Sequence, residues 1–272
     1  MTLRIIDTFS GIGGFSLAAR WLGGFQTVQF VEWEPYCQQI LSQHFPGTPI
    51  HGDITTFFPE QGAADVICGG FPCQDISTAG KQAGIKEGTR SGLFYELMRV
   101  IRLVQPRYVV LENVAAILAN GLDTVLGELA EAGLDAEWAC IPASAVGACH
   151  QRDRWWLVAY AKGARAWEHQ PHSRGQRDGE DLLADWHPNQ EISITANTCG
   201  TRLERQEHPQ WRIAQQLCPN WRSYLSEPVL CRGDDGLSGR VDRLKALGNA
   251  VVPQVAMIPL MRVLQIHDQT QS

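Results

Sequence analysis

Short apolar runs alternate with helically spaced apolar residues over the first 160 or so positions of this 272-residue chain. Leu3 to Ile6 reads as a strand, and Gly14 to Leu22 as a helix that turns Phe15, Leu17, Ala18 and Leu22 inward. Gln29 to Val31 predicts a second strand and Pro35 to His44 a second helix. Ala64 to Cys68 and Tyr108 to Leu111 are two further strand-like runs, with helical spacing from Gly92 to Leu103 between them. Gly121 to Ala132 reads as a helix and Trp155 to Ala159 as a strand. This alternation predicts an α/β fold with a parallel sheet covered on both faces. At about Ala161 the pattern breaks, and to about Val241 the chain is rich in Arg, Gln, His, Trp and Pro. Trp167, Trp186, Trp211 and Trp221 argue against simple disorder, because disordered segments are aromatic-poor. The stretch predicts a small loop-rich lobe inserted late in the main domain. Val241 to Leu264 then reads as one helix followed, after Pro253, by another. The expected division is 1–160, 161–240 and 241–272.

Composition changes this picture little. Hydrophobic content of 44% and charged content of 19% describe an ordinary globular chain. Leu3 to Asp7 runs straight into a strand pattern, so no leader is expected, and no apolar stretch of about 20 residues is read as a bilayer span. Both point to the cytoplasm. The eight cysteines are scattered without a C-x-x-C pair, which argues against structural zinc and against a disulfide framework. The net charge of −6 is unevenly placed. Between Lys162 and Lys245 basic and acidic residues balance, so that Arg-rich stretch can bind phosphate if its arginines share a face.

Six strings carry candidate chemistry. Gly69-Gly70-Phe71-Pro72-Cys73 follows the apolar Val66-Ile67-Cys68, so turn-forming residues push Cys73 out of a strand end. That is where an α/β enzyme would put a nucleophile, although a packed, inert cysteine fits too. Asp7 to Phe15, with Phe9, Gly11 and Gly13, lies at the first strand-to-helix turn, where backbone can approach a ligand closely. Ser16 stands where a dinucleotide fingerprint would have glycine, which disfavours NAD. Glu32 is placed to accept from ribose hydroxyls, and Trp33 to stack on an adenine. Asp53-Ile54 supplies a further acid suited to an exocyclic amine. Together they favour a nucleoside-containing cofactor. Glu112-Asn113-Val114 ends a buried strand, as a catalytic acid or as a helix N-cap. Arg152 and Arg154 alternate at a strand start and should point the same way, to hold an anion or solvate an edge.

In order, these strings resemble the DNA cytosine-5 methyltransferase family, over residues 3–160 and 241–262. The resemblance implies a Rossmann-like, mostly parallel sheet that binds S-adenosyl-L-methionine, with a small target-recognition lobe. Asp7, Phe9, Gly11, Gly13, Glu32, Trp33, Asp53 and Ile54 look like the family's cofactor contacts. Gly248 to Pro253 is similar to its closing motif, with Asn249 and Ala250 at the methionine end. Cys73 would attack C6 of a flipped-out cytosine, Glu112 would hold or protonate N3, and the Pro72 carbonyl would accept from the exocyclic amine. Arg152 and Arg154 would brace the site or contact phosphate, and Ser77, Lys81 and Arg90 would meet DNA. His150 departs from the family's usual glutamine. The resemblance implies a monomer acting on double-stranded DNA, with a cognate restriction endonuclease as a functional partner. Rival readings are an RNA cytosine-5 methyltransferase, a catalytically silent DNA-binding relative, and a hydrolase built on Cys73 and His150.

Overall fold

In a computed structural model, the residues described are 2–72, 92–148, 150–161 and 246–271. The elements run β1 (Leu3–Thr8), α1 (Gly14–Leu22), β2 (Phe25–Val31), α2 (Pro35–His44), β3 (Ile50–His51), a 3-10 turn (Ile54–Thr56) and β4 (Val66–Gly70). After α3 (Leu93–Val104) come β5 (Tyr108–Val114), α4 (Ile117–Asn120), α5 (Leu122–Glu131) and β6 (Leu134–Ile141). A second 3-10 turn (Ala143–Val146), β7 (Arg154–Ala161) and α6 (Pro253–Gln271) complete the set. The seven strands form one sheet in the order β3-β2-β1-β4-β5-β7-β6.

Two apolar layers cover the sheet. On one face Phe94, Leu97, Met98, Ile101, Val125 and Leu129 of α3 and α5 pack on Ile6, Ile67, Val109, Leu111, Trp155 and Leu157. On the other, Phe15, Ala18 and Ala19 of α1 and Val255 to Ile266 of α6 meet Ile5, Cys68, Val110, Trp156 and Val158. Both faces of the central strands are therefore dry, which explains their unbroken apolar runs.

The sheet is parallel through β3, β2, β1, β4 and β5, but β7 runs antiparallel to both β5 and β6. The sheet is thus mostly parallel, as expected. The sequence reading also lacks β6. Asp135 and Glu137 interrupt its pattern, because β6 lies at the sheet's end and Glu137 is buried against Arg262 of α6 at 2.5 Å. β2 begins at Phe25 rather than Gln29, since its first residues are only half-buried and carry polar Gln26 and Thr27.

By length and composition alone, the segment Ala246–Thr270 is apolar enough to cross a membrane. Its apolarity has a local cause, because α6 buries Val255, Ala256, Leu260, Val263 and Ile266 against α1 and the sheet. The proposed lobe at 161–240 falls, beyond Ala161, outside the described residues.

Candidate active site

The cofactor-loop candidates converge on the C-terminal ends of β1 and β2. Asp7 is fully buried. Its Oδ2 accepts from the Ser16 hydroxyl at 2.6 Å, and Ser16 Oγ in turn accepts from Thr27 Oγ1 at 2.9 Å. Burial pushes the Asp7 carboxyl from 3.8 up to about 7, against the opposing Ser16 bond. Its Oδ1 has no hydrogen-bond partner among the described residues. Ser16, read from sequence only as a departure from a dinucleotide loop, thus holds the acid of that loop in place.

The loop turns through left-handed backbone at Phe9 (φ +49°), Gly11 (φ +54°) and Gly13 (φ +87°). At Gly11 a Cβ would point into open space, so only its conformation excludes a side chain. Glu32 clamps the turn: Oε2 accepts from the Gly11 N–H at 2.6 Å and Oε1 from the Glu34 N–H at 2.8 Å. Burial raises the Glu32 carboxyl above its ordinary range, and those two bonds partly offset this. A carboxylate has about four acceptor sites, so two bonds leave room for a ligand's hydroxyls. Trp33 beside it is 72% exposed, an indole face left to solvent. Asp53 caps the first 3-10 turn, Oδ1 accepting from Thr55 N–H and Oγ1 at 2.9 and 2.8 Å. Ile54 is buried, and its carbonyl accepts from Arg99 at 2.6 Å.

The acid and the arginines meet one strand over. Register pairs Gly70 with Glu112 and Glu112 with Trp156, so Glu112 sits between the ends of β4 and β7. Its Oε1 lies 2.9 Å from Arg154 Nε, with side-chain exposures of 13% and 23%. Its Oε2 faces β4, where a Cβ placed on Gly70 would come within 3.0 Å of it. Burial raises the Glu112 carboxyl above its ordinary range, while Arg154 first and Arg152 second pull it back. Asn113 Nδ2 donates to the Phe71 carbonyl at 3.2 Å, tying β5 to the turn that leads through half-buried Pro72.

Arg152 behaves differently from its expected twin. It precedes β7, has φ +42°, and its Nη1 and Nη2 donate to the Gly248 and Ala250 carbonyls at 2.9 and 2.8 Å. Strand alternation therefore does not align the two arginines. One holds the acid, and the other holds the backbone around Asn249 and Ala250. That segment also touches the cofactor loop's helix, because a Cβ on Gly14 would meet the Val251 carbonyl at 2.7 Å. A small, partly open niche of about 10 Å³ is lined by Glu112, Arg152, Arg154, Trp156, Ile141, Ala143, Val252 and Val255. Cys73, Ser77, Lys81 and Arg90 lie outside the described residues, and His150 is exposed. Sequence reasoning included Gly70 and Asn113 in its motif strings without giving them a role, and it missed Ser16, Arg99 and Trp156 as site residues.

A sequence model of the family described as "C-5 cytosine-specific DNA methylase" matches residues 3–226. The chain belongs to that family. The match stops short of 246–271, which the two Arg152 bonds nevertheless fasten to the same site. Among relatives, the chain is 37% identical over 169 residues to the type II methyltransferase M.CviJI of Paramecium bursaria Chlorella virus IL3A, covering 60% of this chain and 44% of that one. It is 37% identical over 168 residues to M.HpaII of Haemophilus parainfluenzae, covering 58% and 46%. It thus spans about half the length of these family members. The solved structure of the Entamoeba histolytica methyltransferase EhMeth superposes over 100% of both chains with a TM-score of 0.63 at 13% identity, which shows the shared fold.

Proposed function

We propose that this chain is a DNA (cytosine-5-)-methyltransferase that methylates C5 of a cytosine flipped out of double-stranded DNA. The observation that carries the reading is the placement of Glu112. Arg154 holds one of its oxygens, and the other faces Gly70 at the strand end that leads to Cys73, beside the Gly11–Glu32–Trp33 cradle.

The cradle fits S-adenosyl-L-methionine. It offers a buried acid oxygen on Asp7 without a partner among the described residues, spare acceptor sites on Glu32, an exposed indole and open space beside Gly11. When bound, this cofactor supplies a methyl group on a positively charged sulfur. Glu32 would accept from the ribose hydroxyls, and Trp33 and Phe9 would flank the base. Asp53, through the oxygen not used in capping, would accept from the exocyclic amine beside Ile54. Asn249 and Ala250, held by Arg152, would face the methionine end.

By family resemblance, Cys73 adds to C6 of the cytosine and so places electron density on C5. Glu112 donates a proton to N3 as that charge develops, a role that needs a carboxyl kept protonated near neutrality. Burial pushes it that way. The Pro72 carbonyl accepts from the exocyclic amine, and loss of the C5 proton followed by elimination frees Cys73. Ser77, Lys81 and Arg90 would contact the DNA, with specificity left to the segment 161–240. The chain would act as a monomer, as the family resemblance implies. The "type II" descriptions of the relatives support a cognate endonuclease acting on the same DNA in the cytoplasm.

The test is bisulfite sequencing of DNA and RNA from a methylation-free host expressing the chain, beside a Cys73→Ser control. DNA cytosines that resist conversion at one recurring sequence, and convert in the control, are expected. Protection confined to RNA, or unchanged by Cys73→Ser, overturns the reading.

A further inference from the structure

Trp156 is among the largest fully buried side chains, 1% exposed, yet its Nε1 is a buried donor with no hydrogen-bond partner among the described residues. Such donors in folded proteins bond to protein or to water when there is room for it. Trp156 lies directly opposite Glu112 in the β5–β7 ladder, and opposed residues share a face with Cβ atoms about 5 Å apart. Both line the niche, whose volume of about 10 Å³ matches a single water and whose remaining walls are Arg152, Arg154 and the apolar Ile141, Ala143, Val252 and Val255. Arginine and indole nitrogens only donate. Among the lining side chains, Glu112 alone accepts.

We propose that Trp156 is a positioning residue for Glu112, its indole N–H donating through one bridging water in the niche to the carboxyl. The water accepts from Trp156 and donates to Glu112, so the acid is held from the sheet side as well as by Arg154. The charged groups facing Glu112 are Arg154 and Arg152, both from the β7 side. β4 contributes Gly70, and β6 and the segment around α6 contribute only apolar side chains. Removing the indole donor therefore alters the acid without disturbing another titrating neighbour.

The catalytic consequence rests on the methyltransferase reading; the anchoring does not. A hydrogen bond to the ionised carboxylate favours that form, so its loss moves the Glu112 titration upward. The experiment follows the ¹³C carboxyl resonance of Glu112, assigned with Glu112→Gln, across pH in the whole chain and in Trp156→Phe. A rise in midpoint of about one pH unit is expected, the size of one charge-assisted bond. Trp156→Phe also alters the edge contact to Phe15 (centroids 5.7 Å apart). Site-specific replacement of Trp156 by isosteric benzothienylalanine, which has sulfur in place of the N–H, keeps that shape and should move the midpoint equally. In methyl-transfer assays both variants should lower kcat about tenfold with KM for DNA unchanged, and shift the alkaline limb of the rate profile upward. A midpoint unmoved in the isostere overturns the proposal, whatever the activity. Wild-type chain without methyl transfer but with a midpoint that moves overturns the enzymatic reading and leaves the anchoring intact.

Discussion

At the scale of single residues, the site depends on where a side chain is missing as much as on where one is present. Gly70 has ordinary backbone, so alanine would fit its conformation, yet the added Cβ would press within 3.0 Å of Glu112 Oε2. Gly70→Ala should therefore fold as the wild type does but slow methyl transfer by about threefold to tenfold, because Glu112 must give way by a few tenths of an ångström. Unchanged single-turnover rates in a correctly folded variant would show that Glu112 is not aimed at that strand end. Asp7 gives a pH-dependent counterpart. Its carboxyl is raised from 3.8 to about 7 by burial, so its contribution to stability is complete below about pH 4 and is lost as pH rises through about 7. Without cofactor, the Tm of Asp7→Asn relative to wild type should climb across that window. A difference that stays flat with pH would mean that Asp7 titrates normally.

At the scale of elements, reversal of one strand explains what could and could not be read. Glu112 was legible because a carboxylate ending a continuous apolar run has few structural uses in a doubly covered sheet. The Glu112–Arg154 contact was not, because a parallel sheet would start β7 at the far end from Glu112, and only the antiparallel run sets Arg154 beside it. Arg152 escaped for a local reason: its φ of +42° breaks the alternation that a strand reading assumes. Glu137 escaped for a longer-range one, since its partner Arg262 is far away in sequence and on a different element. That buried pair links β6 to α6, and removing one member leaves a desolvated charge. Arg262→Met should cost about 3–5 kcal/mol in urea unfolding, and adding Glu137→Leu should recover most of the loss. If the single variant is as stable as wild type, the pair is not buried in solution.

At the scale of the whole molecule, both ligand-binding halves are stitched to the same late segment. Arg152 reaches Gly248 and Ala250 from the acid's side, while Gly14 packs against Val251 from the cofactor's side. The antiparallel β7 starts at this reactive edge and carries the chain down through Ala161 to the opposite edge of the sheet, level with Leu134 and Tyr108. The next described residues, Ala246 to Ala250, are back at the reactive edge. The described ends on either side, Ala161 and Ala246, are thus separated by the height of the sheet, about 25 Å at the usual strand rise. A linker of fewer than about eight residues cannot reach between those two ends. Joining 161 to 246 with a shorter linker should abolish the rise in Tm on adding S-adenosyl-L-methionine, and a linker of twice that length should restore it. A join too short to span that height would pull Gly248 to Val251 away from Arg152 and Gly14 together, and so loosen the acid and the cofactor loop in one stroke.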